Sequence, residues 1–246
     1  MERNLRDTAP ALSRKREREL VAFISAHAVP ITDLALLNLA FTHRSYANES
    51  TVEVGNNERL EFLGDSVLGL SVADWLLRNH PNKAEGDFSK IKSAVVSEES
   101  LAVVALRLGL DRLLLLGRGE EGTGGRKKKA ILADCVEAVY GACYLDGGFD
   151  ATYRFVTAQM EDQIRLVLEE DWALDYKTSL QEYMQKRYKD VPTYTLVKKT
   201  GPEHNHTFYM EVDVAGHVFG PGIGANKKEA QQMAAKLAYE LLIKEK

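Results

Sequence analysis

The hydrophobic period of this 246-residue chain changes once, and that change dictates two folding units of different kinds. From about Lys15 to Glu170, apolar residues recur at three- and four-residue steps, as in RLEFLGDSVLGLSVADWLL, ILADCVEAVYGACYL and TYRFVTAQMEDQIRLVL. Such spacing gives helices that each bury one stripe. Breakers fall between them at NHPNKAEGD, GRGEEGTGGRKKK and DGGFD. EEDWALD reads as a linker, followed by a helix from about Asp175 to Lys189. The period then shortens to two. In TFYMEVDV, Phe208, Met210, Val212 and Val214 alternate as in a half-buried strand. TYTLVKK before it and HVFGPG after it supply two more strands, and Asn226 opens a last helix through about Ile243. The expected fold is mainly α with a small α+β domain. An all-helical domain over residues 15–170 precedes an α-β-β-β-α domain over residues 175–244.

Charge narrows the function only slightly. The net charge is −4, unevenly divided. From Asp175 onward eleven Lys and Arg face nine Asp and Glu, a net of +2, which leaves −6 on the rest. The densely charged start MERNLRDTAPALSRKREREL is unlike a secretory signal. No run approaches the roughly 18 apolar residues that a bilayer span requires, so no membrane partner is expected. Cys135 and Cys143 are the only cysteines. On a helix they would lie about 12 Å apart, too far for a disulfide, which suits a reducing cytoplasm. Neither they nor His204 and His206 have companions at zinc-site spacing.

Two helices carry acids on one face. Glu58, Glu61 and Asp65 fall within about 60° of arc on a helical wheel. Leu60, Leu63, Val67 and Leu70 gather on the other side, where they would face a core. In the later helix Asp134 and Glu137 share a face, with Leu132, Val136, Val139 and Cys143 roughly opposite. Packed together, the two helices could bring four or five carboxylates into one place. Such a cluster suits a hard divalent cation, because oxygen ligands fit Mg²⁺ and Mn²⁺ and the ion can polarise a phosphate. Solvated acidic faces would show the same spacing, and spacing alone leaves both readings open.

The wording of the motif goes further. NERLEFLGDSVL resembles the signature of the ribonuclease III family, and LADCVEAVYGACYLDGG resembles that family's second acidic block. PNKAEGDFS and GEEGTGGRKKKAILAD are similar to family segments between them. The resemblance implies that Glu61, Asp134 and Glu137 ligate magnesium, and that Asp65 and Glu137 are catalytic. Glu58 and Glu85 match two supporting acids. It also implies a homodimer formed through this domain, with Phe62 matching an aromatic of that contact.

The C-terminal stretch has its own signals. Asn226 and Glu229 form a capping-box-like helix start. Lys227 and Lys228 occupy the first turn, where the helix dipole disfavours cations unless an anion is bound. DYKTSLQEYMQKR, GPEHNHTF and GIGANKKEAQQMAAKLA together resemble a double-stranded-RNA-binding domain. The matching contacts are Thr178, Gln181, Glu182 and Gln185 on its first helix, His204 in the loop after its first strand, and Lys227 and Lys228. Such modules read A-form shape over about 16 base pairs. The family usually has Ser where Asn226 stands, and Asn caps equally well. The run Arg126 to Lys129, close in sequence to Asp134, is a further candidate for attracting phosphate.

The resemblance therefore implies a Mg²⁺-dependent endoribonuclease that cuts double-stranded RNA to 5′-phosphate and 3′-hydroxyl ends. Precursors of ribosomal, messenger and transfer RNA are the expected substrates, and no small-molecule cofactor is expected. A non-catalytic double-stranded-RNA-binding protein on the same scaffold is the alternative. The intact Glu61, Asp65, Asp134 and Glu137 argue against it.

Overall fold

The structure is a computed structural model and describes residues 5–81, 83–174, 176–202 and 206–244. It divides into two compact units, Met1–Arg165 and Leu166–Lys246.

The first unit is helical throughout. A 3-10 turn at Leu5–Thr8 leads to α1 (Arg14–His27), started by the Ser13 hydroxyl accepting from the Arg16 N–H at 3.1 Å. After α2 (Leu34–Ala40) and α3 (Arg44–Glu49) comes α4 (Glu58–Asn79), which bears the first acids. Helices α5 (Glu85–Val95), α6 (Glu98–Leu108), α7 (Leu110–Leu113) and α8 (Arg118–Gly122) follow, then α9 (Lys129–Leu174), which bears the second acids and ends beyond Arg165. The DGGFD breaker acts inside α9. Gly148, at φ 74° and ψ 176°, holds a backbone conformation nearly restricted to glycine and joins two helical runs. EEDWALD, expected as a linker, is helical through Leu174, and Asp175 lies outside the described residues.

Between Ile131 and Cys143, α9 is buried on every side except at Asp134 and Glu137, which are half-buried. A helix apolar all round belongs at the centre of its domain. Against it lies α4, through backbone rather than side chains. A Cβ on Gly64 would stand 1.7 Å from the Glu137 carbonyl oxygen, and one on Gly141 would stand 2.2 Å from the Leu60 carbonyl oxygen. This contact corrects the wheel drawn from hydropathy. Leu70, expected in the core, is 56% exposed, whereas Gly64, Leu68 and Ser71 are buried with Leu60 and Val67. The buried arc of α4 is rotated toward its acids because glycine, which carries no hydrophobic side chain, lies at the point of closest approach.

The start of α4 is tied from several sides. Asn57 is buried, donates its N–H to the Thr42 carbonyl at 2.8 Å and accepts those of Leu60 and Glu61 at 2.9 Å. Two residues earlier, Gly55 donates to the Thr8 carbonyl at 2.7 Å. Asn38 reaches the Pro10 carbonyl, and Arg6 pairs with Asp33 at 2.8 Å. The residues before α1 thus brace the approach to the acidic helix.

In the second unit, α10 (Tyr176–Tyr188) precedes β1 (Thr193–Thr200), β2 (Thr207–Val214), β3 (His217–Gly224) and α11 (Lys227–Lys244). The strands form an antiparallel sheet in the order β1-β2-β3. Met210, Val212 and Val214 bury one sheet face against Leu180 and Met184 of α10 and Ala230, Ala234, Ala235 and Ala238 of α11. The alanines permit close approach. A Cβ on Gly222 would lie 2.1 Å from the Ala234 nitrogen. Among the described residues, no helix is long and apolar enough to cross a membrane.

Candidate metal centre and nucleic-acid interface

Across the glycine contact, Glu61 of α4 meets Asp134 and Glu137 of α9. Each offers a carboxylate oxygen, and the three oxygens lie within 4.8 Å of one another. Among the described residues, no Lys or Arg forms an ion pair with any of them. Burial, then the charges of Asp65, Asp134, Glu61 and Glu98, push the Glu137 carboxyl up to about 8. Burial and neighbouring acids also raise Glu61 and Asp134, with the Arg44 guanidinium opposing the rise at both. The side chains are therefore held together at an electrostatic cost that a bound cation would remove. Three convergent oxygen donors beside open space suit Mg²⁺, which keeps several of its waters.

Two cavities meet at these acids. One, of about 350 Å³, is lined by Glu61, Asp65, Asp134, Glu137, Glu98 and Phe62 together with apolar groups. The other, of about 490 Å³, shares Glu61 and Asp134 but adds His43, Arg44, Glu58 and Lys128. Asp65 and Glu58 thus flank the three candidate ligands on opposite sides. Glu58 is exposed, accepts from Asn56 Nδ2 at 3.2 Å and lies 3.8 Å from Arg44. Glu85 is exposed at the start of α5, accepts from the Ser89 hydroxyl at 2.8 Å and lines neither cavity.

On the second unit, Thr178, Gln181, Glu182 and Gln185 lie along one exposed face of α10, as their i, i+3, i+4, i+7 spacing requires. Lys227 and Lys228 are exposed in the first turn of α11. That turn is closed by Asn226 Oδ1 accepting from the Glu229 N–H at 2.9 Å, while Glu229 accepts from Asn226 Nδ2 at 2.7 Å and from the Ala225 N–H at 2.9 Å. His204 lies outside the described residues.

Residues 33–164 match the family model described as ribonuclease-III-like, and residues 176–242 match the double-stranded RNA binding motif. Ribonuclease 3 of Treponema denticola is 50% identical over 234 residues, 95% of each chain, and that of Borreliella burgdorferi is 45% identical over 231 residues, 94% of each. The chain belongs to the ribonuclease III family. A solved nuclease domain of the Campylobacter jejuni ribonuclease III, 36% identical, superposes with a TM-score of 0.55 over 59% of this chain and 96% of that one.

In this ribonuclease III chain some neighbours of the acids escaped the sequence reading. Glu98, the first residue of α6, lines the smaller cavity and raises both Asp134 and Glu137. Arg44 lines the larger one. Each is the first residue of its helix, far in sequence from the acids it neighbours, and only folding brings it to them. The Arg126–Lys129 run, by contrast, is largely engaged within the chain. Arg126 donates to the Asp111 and Leu114 carbonyls and pairs with Glu121, Lys128 pairs with Glu120 at 2.6 Å, and Lys129 pairs with Glu99. Three of the four cations thus have internal partners, which weakens the case for a phosphate-attracting run.

Proposed function

We propose that this chain is a Mg²⁺-dependent endoribonuclease that binds double-stranded RNA and hydrolyses it to 5′-phosphate and 3′-hydroxyl ends. The convergence of Glu61, Asp134 and Glu137 carries the reading. These three would hold the cation, and Asp65, across the smaller cavity, would order the attacking water. When bound, Mg²⁺ supplies a Lewis acid for the phosphoryl oxygens and for that water. Glu58 supports the site from the larger cavity, and Glu85 is assigned a supporting role by the family resemblance alone. Thr178, Gln181, Glu182 and Gln185 would follow one minor groove and His204 the next. Lys227 and Lys228, backed by the helix N-terminus, would take the phosphates between them. Cutting falls to the domain expected over residues 15–170 and duplex recognition to that over residues 175–244. Ribosomal RNA precursors are the first substrates to try.

A homodimer through the helical unit fits the same reading. Phe62, Leu70 and Leu77 of α4 are 78%, 56% and 64% exposed and fall within about 80° of arc on its wheel. A stripe of that kind on a soluble helix marks an interaction face.

Glu137→Gln tests the assignment. The variant should keep duplex RNA affinity while Mg²⁺-dependent cleavage falls by roughly 100-fold or more; unchanged cutting overturns the reading. Duplex DNA of the same sequence should be left intact, because it lacks the 2′-hydroxyl.

A further inference from the structure

The two cavities that meet at the acids differ in charge. Among the described residues, the smaller is lined by acids and apolar groups, with no Lys or Arg. The larger contains Arg44 and Lys128. A polyanion must come to a cluster of carboxylates from the side where cations offset them. Lys128 has little left to give, since it donates to Glu120 at 2.6 Å and to the Thr123 hydroxyl at 3.3 Å. Arg44 is different. Among the described residues its only ion pair is the 3.8 Å approach to Glu58, beyond hydrogen-bond distance, so the guanidinium keeps its fork of donors.

The backbone carrying Arg44 is fixed relative to the acids. Thr42 bridges to Leu115 and accepts from the Asn57 N–H that starts α4. His43 caps α3, its Nδ1 accepting from the Ser45 N–H at 3.2 Å and standing 2.8 Å from the Ser45 hydroxyl. That hydroxyl in turn accepts from the Gly117 N–H at 2.9 Å. Glu49, at the other end of α3, accepts from the Arg118 and Gly119 N–H groups at 2.8 and 3.2 Å. Arg44 therefore projects from a short helix clamped at both ends, beside the first turn of the acidic helix.

We propose that the larger cavity seats the backbone of the strand being cut, and that Arg44 grips a phosphate oxygen next to the scissile bond. Glu58 holds the guanidinium loosely until the phosphate replaces it. The inference rests on the nuclease reading and adds a substrate-binding residue to it. A planar fork suits a phosphate better than an ammonium does. If Arg44 were only a counter-charge for the acids, its removal would tighten Mg²⁺ binding and leave substrate affinity alone.

The experiment compares the wild-type chain, Arg44→Ala and Arg44→Lys on a short RNA duplex at saturating Mg²⁺. The salt dependence of KM and kcat is followed, and neutral methylphosphonate linkages are placed one at a time on either side of the scissile bond. Arg44→Ala should lower kcat/KM about 30-fold, chiefly through KM, and reduce the salt slope by about one. Arg44→Lys should recover part of the loss, and thermal melting should be unchanged. At one linkage position the neutral substitution should erase the difference between wild type and Arg44→Ala. A wild-type kcat/KM for Arg44→Ala, or a loss equal at every linkage, overturns the proposal. Failure of the wild-type chain to cut any duplex RNA overturns the nuclease reading itself, and this inference with it.

Discussion

Glu137 favours its neutral form in the folded chain. Burial and four neighbouring carboxylates hold it at about 8, against about 4.3 for a free glutamate. A raised carboxyl contributes its full stability below the unfolded value and loses it as the pH climbs toward the folded one. Without metal, Glu137→Gln should therefore melt like the wild type near pH 4 and become the more stable of the two by pH 8. A tenfold difference in proton affinity corresponds to about 1.4 kcal/mol. Water in the open cavity beside the group screens it, so a gain of roughly 1–3 kcal/mol is expected. Saturating Mg²⁺ should reverse the order, because the ion stabilises only a folded chain that can hold it. Denaturant titrations at pH 4, 6 and 8, with and without Mg²⁺, measure both signs. A gap independent of pH would refute the assigned burial.

The elements meet where side chains are missing. Gly64 and Gly141 let the backbones of α4 and α9 touch, and that contact sets Glu61 beside Glu137. Gly64→Ala places a methyl 1.7 Å from the Glu137 carbonyl oxygen, which belongs to backbone and cannot swing aside. The helices must separate. A loss of about 3 kcal/mol or more is expected, together with loss of Mg²⁺-dependent cleavage, while duplex RNA binding by the same chain persists. A cleavage assay beside a binding titration checks it, and a fully active Gly64→Ala chain would refute the contact. In the second unit the cap is the corresponding lever. Asn226→Ala removes the acceptor for the Glu229 N–H and should destabilise that unit by about 1 kcal/mol, with Asn226→Ser nearly neutral, as thermal melting would report.

At the scale of the molecule, the two parts differ in charge, with −6 before Asp175 and +2 from there on. Lys227 and Lys228 stand where the helix dipole opposes them, so they contribute nothing to folding that would explain their place. Replacing both by Ala should weaken duplex RNA binding about 10-fold and lower the slope of log affinity against log salt by about two. Melting should stay level or rise slightly. An unchanged slope would mean the pair touches no phosphate. By itself the sequence determined the two units, the helical period of one, the alternation in β2 and the acids carried by α4 and α9, because short-range spacing encodes which face of an element is apolar. Only the tertiary structure decided that Glu61 meets Asp134 and Glu137, that Leu70 faces outward, and that Glu98 and Arg44 reach the same acids. Residues some 70 positions apart are joined by a backbone contact between glycines, and a glycine leaves no mark in a hydrophobic pattern.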